Sequence, residues 1–162
     1  MKASILIPAF NAAQFLEATL LSCADQGADF VQEVIVVDDH SEDDSQSVFS
    51  RIAEAHPKFV WKWFTNPNKG ACSARNHALT MATGDWIQWL DADDILGPFK
   101  IRTQLKSLGV NSLSCCVSPF VPFVGSTKTG RIQDERNWDC PTSVSGADWL
   151  ASGRMTIPAC WI

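Results

Sequence analysis

Trp86-Ile87-Gln88-Trp89-Leu90-Asp91-Ala92-Asp93-Asp94 decides the fold of this chain: an apolar run stops in three carboxylates, with only Ala92 between the first two. Trp86, Ile87, Trp89 and Leu90 read as a short buried strand, and side chains two apart share a side of a strand. Asp91 and Asp93 are therefore expected to face one point just past the strand's carboxyl end, where open α/β sheets place ligands. Carboxylates held this close repel unless a cation or a set of donors sits between them. A hard divalent ion carrying phosphate oxygens suits such a pair. In isolation the triplet reads equally well as an acidic loop, with Asp94 capping a helix near Pro98. The surrounding chain separates the two readings.

Upstream, Ala3 to Pro8 is a continuous apolar run, as expected of a strand buried on both faces. Asn11 stands where a helix N-cap belongs, with Gln14 three residues on, and Leu16, Leu20 and Cys23 follow at helical spacing. Glu33 to Val37 is a second buried strand ending in Asp38-Asp39. Ser41 is placed to cap a helix whose inward face is Val48, Ile52 and Ala55. Phe59 to Phe64 is a third strand, followed by a turn at Asn66-Pro67-Asn68-Lys69-Gly70. Ala74, Ala78 and Ala82 then lie four apart on a small-residue helix with Gly84 as its C′ residue. This β-α-β-α-β-α-β order predicts a mostly parallel, Rossmann-like sheet with helices on both faces. Downstream, Ile101, Leu105 and Leu108 suggest a helix, Cys115 to Val124 an edge strand broken by Pro119 and Pro122, and Ser145 to Ser152 another helix.

The bounds are those of one ordinary domain. The chain has 162 residues, 46% hydrophobic and 19% charged, so it can build a single core. A net charge of −5 argues against nucleic acid, which requires a basic stripe. No apolar run reaches the roughly 18 residues of a membrane span, and the apolar part of Met1 to Pro8 is too short for a signal peptide. Six cysteines show no C-x-x-C pair, which argues against zinc and for buried thiols in a reducing compartment.

Three strand ends carry polar residues: Pro8-Ala9-Phe10-Asn11, Asp38-Asp39-His40-Ser41 and Asp91-Ala92-Asp93-Asp94. In a parallel sheet they converge on one crevice. Asp38 or Asp39 could accept from a nucleobase and ribose, while Asp91 and Asp93 could hold a metal on a diphosphate. Lys69 and Arg75 flank a glycine turn leading into a helix and could add charge for phosphates. Each residue alone has a plainer reading, as a helix cap, a solvated turn residue or a surface ion pair. Their joint placement at strand ends does not.

Ser4-Ile5-Leu6-Ile7-Pro8-Ala9-Phe10-Asn11, Val36-Val37-Asp38-Asp39-His40-Ser41, Asn68-Lys69-Gly70-Ala71-Cys72-Ser73-Ala74-Arg75-Asn76 and Leu90-Asp91-Ala92-Asp93-Asp94 resemble, in order, the signatures of family 2 glycosyltransferases. The resemblance implies the GT-A fold over residues 1–162 as a single domain, with a nucleotide-binding half at 1–97 and an incomplete acceptor-side half at 98–162. It implies a nucleotide-sugar donor, commonly UDP-linked, an inverting displacement, and Mn²⁺ or Mg²⁺ supporting the diphosphate. The acceptor would be a saccharide, a lipid-linked sugar or another hydroxyl. The implied donor contacts are Pro8, Ala9, Asn11, Asp38, Asp39, Lys69, Arg75, Asp91 and Ala92. Asp93 would be the main metal ligand, with Asp91 beside it.

His40 departs from the family's usual Gly or Asn. The family's general base, an Asp often in a Glu-Asp pair, is expected beyond Ile162; Asp134, Glu135, Asp139 and Asp148 stand in no matching motif. The chain is therefore expected to be cut, to bind its donor, and to transfer sugar slowly or not at all. The alternative is a catalytically silent nucleotide-sugar-binding domain. Its expected place is the cytoplasm, at the inner face of a membrane if the acceptor is lipid-linked. A phospho-acceptor receiver fits poorly, because the Asp38-Asp39 cluster follows the second strand and no Lys closes a later one. An Asp-x-Asp phosphatase fits poorly too, because Ile95 holds the fifth position of its motif.

Overall fold

Two unbroken apolar runs become the two central strands, β1 (Ala3–Ala9) and β2 (Val31–Asp38), in the computed structural model. The structure describes residues 1–108 and, as backbone, short antiparallel pairs linking 114–115 with 144–145 and 123–124 with 131–132. In β1, Ile5 and Ile7 face one side and Leu6 the other; in β2, Val34 and Val36 face one side and Ile35 and Val37 the other. A strand with both sides covered cannot alternate apolar with polar, which is why these runs are continuous. With β3 (Trp61–Thr65) and β4 (Trp86–Trp89) they form a wholly parallel sheet in the order β3-β2-β1-β4.

Helices α1 (Ala13–Ala24), α2 (Ser45–Ala55) and α4 (Lys100–Leu108) contribute Leu16, Leu20, Phe49, Ile52, Ile101 and Leu105 to the core on one face. Helix α3 (Ala71–Met81) covers the other face with Ala74 and Ala78, whose small side chains let it sit close to Leu6, Ile35 and Val37. Full burial of each Leu or Ile side chain contributes about 1.5–3 kcal/mol. The connections β1-α1-β2-α2-β3 step outward in one direction. The chain then returns past β1 through α3 to lay down β4. With right-handed crossovers, a reversal of direction requires a change of face. The reversal opens a crevice at the carboxyl ends of β1 and β4.

The amino ends of the helices differ from the sequence expectation. Asn11 does not cap α1: it has φ 47°, and its Oδ1 accepts from the Glu42 N–H at 2.8 Å. The first N–H groups of the α1 entry donate instead to Ser41 Oγ (from Asn11), Ser45 Oγ (from Ala12) and Asp43 Oδ2 (from Ala13), at 2.8, 3.0 and 2.8 Å. Ser41 is thus spent on α1 and makes no cap for α2, which begins after Asp44. Donors left open at a helix start need partners, and here the lead-in to the next helix supplies them. Asp94 does not cap α4 either; its N–H closes a turn onto the Asp91 carbonyl at 3.1 Å. Helix α3 ends at Met81 with Ala82 extended, so Gly84 is not its C′ residue. Gly84 is glycine because a Cβ there would lie 2.7 Å from the Ser4 nitrogen and hydroxyl. Of the helix expected over Ser145–Ser152, residues 146–152 lie outside the described residues, as does most of the expected edge strand. Val144–Ser145, at the start of that expected helix, is instead one of the short strands.

At the amino end of the sheet, the Glu33 side chain is only 2% exposed. Its Oε1 accepts from Ser4 Oγ at 2.7 Å and from the Thr83 N–H and hydroxyl at 2.7 and 2.9 Å, and its Oε2 pairs with Lys62. Burial by itself would raise this carboxyl, but Lys62, Ser4 and Thr83 together outweigh it and hold Glu33 below the ordinary range. One buried charge thereby ties β1, β2, β3 and the entry to β4.

Candidate functional site

The crevice is an open cleft of about 270 Å³. The end of β1 and the loop after it line one side with Pro8, Ala9, Phe10, Asn11 and Ala12, and Phe15 follows on α1. Asp39 comes from the end of β2; Ala71, Ala74 and Arg75 come from the start of α3; Asp91, Ala92 and Asp93 come from the end of β4. The tips of β1 and β2 are locked together by the Asp39 N–H, which donates to the Ala9 carbonyl at 2.7 Å.

Asp39 is held from the β3–α3 turn. Both of its carboxylate oxygens accept from the Gly70 N–H at 2.9 Å, and Oδ1 accepts from the Asn66 side-chain amide at 2.6 Å. The turn needs Gly70, whose φ is 108°. A carboxylate offers about four acceptor positions, so Oδ2 keeps room for an N–H from a ligand. Across the cleft, Arg75 Nη2 pairs with Asp91 Oδ1 at 2.6 Å, with both side chains partly exposed. Asp93 is exposed and makes no side-chain hydrogen bond or ion pair among the described residues. Loss of hydration, then the Asp93 and Asp91 charges, hold the neighbouring Asp94 above the ordinary carboxyl range.

Pro8, Ala9, Asn11, Asp39, Arg75, Asp91, Ala92 and Asp93 are therefore brought together as the sequence implied. Asp38 and Lys69 do not line the cleft. Asp38 is buried, and its carboxylate accepts from the Ser41 N–H at 3.2 and 3.3 Å. Lys69 is exposed on the turn. The cleft also gains Phe10 and Phe15, 61% and 47% exposed, which sequence reasoning had left unassigned. Their signal was position: two aromatics close behind the first strand end, Phe10 in the loop and Phe15 on α1. Among the described residues no three His, Cys, Asp or Glu side chains form a metal cage. The donor set suits a different mode, in which one or two carboxylates and substrate phosphates share a hard divalent ion. Asp93 offers both oxygens and Asp91 the one that Arg75 leaves.

A parallel sheet whose order reverses beside β1, with an acidic cleft at the reversal, defines a doubly wound α/β protein whose cleft lies where such folds hold their ligands. More narrowly, the chain belongs to glycosyl transferase family 2, whose family model matches residues 4–162. An uncharacterized glycosyltransferase of Haemophilus influenzae is 37% identical over 110 residues, which is 68% of this chain and 43% of that protein. The Campylobacter jejuni GalNAc(5)-diNAcBac-PP-undecaprenol beta-1,3-glucosyltransferase is 36% identical over 98 residues, 59% of this chain and 30% of that protein. This chain thus spans less than half the length of these relatives. The fold is GT-A. The mannosyltransferase PcManGT of Pyrobaculum calidifontis, solved with GDP-Man and Mn²⁺, superposes with a TM-score of 0.65 at 28% identity, covering 73% of this chain and 36% of that one. The S. aureus protein TarS, residues 1–349 with UDP-GlcNAc, gives 0.57 at 26% identity, covering 67% and 31%. No helix among the described residues is long and apolar enough to cross a membrane.

Proposed function

We propose that this chain carries the donor half of an inverting glycosyltransferase that takes a sugar from a nucleoside diphosphate, UDP by preference, to a saccharide, lipid-linked or other hydroxyl acceptor. The observation that carries this reading is the placement of Asp39, from the end of β2, and of Asp91 with Asp93, from the end of β4, in one cleft. Asp39, fixed by Gly70 and Asn66, is oriented to accept from a base N–H. Phe10 gives the base an apolar wall, and the backbone of Pro8 and Ala9 borders it. Arg75 keeps the Asp91 carboxylate oriented and adds positive charge beside the diphosphate. Asp93, with Asp91, would hold Mn²⁺ or Mg²⁺. When bound, such an ion offsets charge growing on the leaving diphosphate, where stabilisation raises the rate. The solved relatives bound to GDP-Man with Mn²⁺ and to UDP-GlcNAc support the donor class. We place the reaction in the cytoplasm, a compartment in keeping with the free, exposed Cys72.

A second reading, donor binding without transfer, is favoured by one fact. Among the described residues the carboxylates lining the cleft are Asp39, Asp91 and Asp93; the donor reading assigns all three to the donor and leaves none of them for the acceptor hydroxyl. Calorimetric titration of UDP and GDP with and without Mn²⁺ tests the donor site. Binding should strengthen with Mn²⁺, and Asp93→Ala should abolish that gain while the metal-free affinity persists. Equal affinity in both conditions for the unmodified protein refutes the metal role. A product assay with several nucleotide-sugars and acceptors then separates transfer from binding alone.

A further inference from the structure

Three polar side chains continue the buried stripe of α1 into the turn behind it, where an apolar face would serve the core better: Thr19 and Ser22 on α1 and Gln26 just past its end, at spacings of three and four. Each is bonded to the backbone between Asp91 and α4. Thr19 Oγ1 donates to the Ala92 carbonyl at 2.8 Å. Ser22 Oγ accepts from the Leu96 N–H at 3.1 Å. Gln26 Nε2 donates to the Gly97 carbonyl at 3.0 Å, and its Oε1 accepts from the Ile101 N–H at 3.1 Å. Along this stripe the three support one another: Ser22 donates to the Thr19 carbonyl at 2.7 Å and Gln26 to the Ser22 carbonyl at 3.1 Å.

We infer that Thr19, Ser22 and Gln26 are positioning residues that set the Asp93 carboxylate for a metal–diphosphate ligand. Core burial alone does not ask for them, since Leu16, Leu20 and Cys23 already fill the apolar contacts of α1. What they bond is the segment that has no regular secondary structure yet carries the acidic residues. The decisive contact is at Ala92, because its carbonyl belongs to the same rigid peptide plane as the Asp93 N–H. Rotating that plane swings the Asp93 Cα relative to Asp91, and the Thr19 hydroxyl resists the rotation. Supporting hydrogen bonds of this kind orient metal ligands, and their loss typically costs about 10–100-fold in metal affinity.

The inference rests on the donor reading above, and its test separates the two. UDP and GDP are titrated with and without Mn²⁺ into the full chain and its Thr19→Val, Thr19→Ser, Ser22→Ala, Asp93→Ala and Thr19→Val/Asp93→Ala variants. Thr19→Val should leave metal-free affinity intact and lower the Mn²⁺-dependent gain about tenfold; Ser22→Ala should lower it less, and Thr19→Ser should restore it. On the Asp93→Ala background Thr19→Val should cost nothing more, the non-additivity expected of two residues acting through one contact. Amide hydrogen exchange at Asp93 and Leu96 should rise in Thr19→Val while β1 and β2 stay protected. A full Mn²⁺ gain in Thr19→Val overturns the positioning role alone. No gain in the unmodified protein overturns the donor reading and this role with it. A uniform loss of metal-free affinity and of protection throughout the sheet in both Thr19→Val and Ser22→Ala shows a merely structural role and overturns it as well.

Discussion

Replacing Glu33 with Gln should destabilise the protein by about 2–3 kcal/mol at neutral pH, because this change keeps the shape and removes only the charge. The magnitude follows from the four donors around the carboxylate. The amide oxygen of Gln can take the place of Oε1, where Ser4 Oγ and the two Thr83 donors converge, but as a weaker acceptor. The amide NH₂ then faces the Lys62 ammonium, a donor against a donor, in a pocket where the native side chain is 2% exposed. Lys62 itself is 32% exposed and can swing to water, which keeps the cost below that of a fully trapped charge. For a chain of this size the loss corresponds to a fall in Tm of about 2–4 °C per kcal/mol. Urea unfolding of the wild type, Glu33→Gln, Lys62→Met and the double variant measures it. In the double variant the donor clash is gone, so its loss should be smaller than the sum of the singles. A Glu33→Gln stability within about 0.5 kcal/mol of wild type, the ordinary range for surface changes, would refute the reasoning. The pH dependence has a definite sign. Because the folded carboxyl sits below its ordinary value of 4.5, its contribution is complete above that pH and is lost as pH falls through the folded value. Glu33→Gln should lack that part of the acid sensitivity.

Asp39→Ala should weaken UDP binding by about 1–3 kcal/mol, the cost of losing a bond to a charged group; selectivity against nucleotides lacking the matching N–H should shrink, and unchanged calorimetric affinity would return Asp39 to a purely structural role. Gly84→Ala should destabilise by about 1–3 kcal/mol, because its Cβ would press on the Ser4 nitrogen and hydroxyl at 2.7 Å, and a chemical-denaturation midpoint checks it. Phe15→Ala removes a side chain that is 47% exposed, so it should leave the unfolding midpoint within about 0.5 kcal/mol while lowering nucleotide affinity.

How much of this could be read from the chain depended on how local the cause was. Strands β1 and β2 were legible because burial on both faces leaves a continuous apolar run that needs no partner to recognise. The strand ends followed from the same pattern, and with them Asp39, Asp91 and Asp93. The helix caps were not legible. Asn11 has the chemistry of a cap, but the N–H groups at the entry to α1, its own included, go to Ser41, Ser45 and Asp43, more than a strand away in sequence. The pairing of Arg75 with Asp91 is of the same kind: both residues were visible, their contact was not. Asp38 and Asp39 are adjacent and chemically identical, and only the turn geometry sends the first to Ser41 and the second into the cleft. Thr19, Ser22 and Gln26 left a faint signal, polar residues at the spacing of a buried stripe, which is easily read as helix filler.

The sheet order also sets an awkward timetable for a chain made from its amino end. β1 is the first of the four strands to be synthesised and sits in the interior of the sheet, yet the partner for one of its edges, Trp86–Trp89, comes last of the four. Until those residues emerge, Ile5-Leu6-Ile7 lies beside an unpaired row of amide and carbonyl groups, a template for any other extended chain. Nascent products that stop between α3 and β4 should therefore aggregate although three of the four strands are complete. Four residues of β4 close the nursery edge of the fold and, in the same step, deliver Asp91 and Asp93 to the cleft.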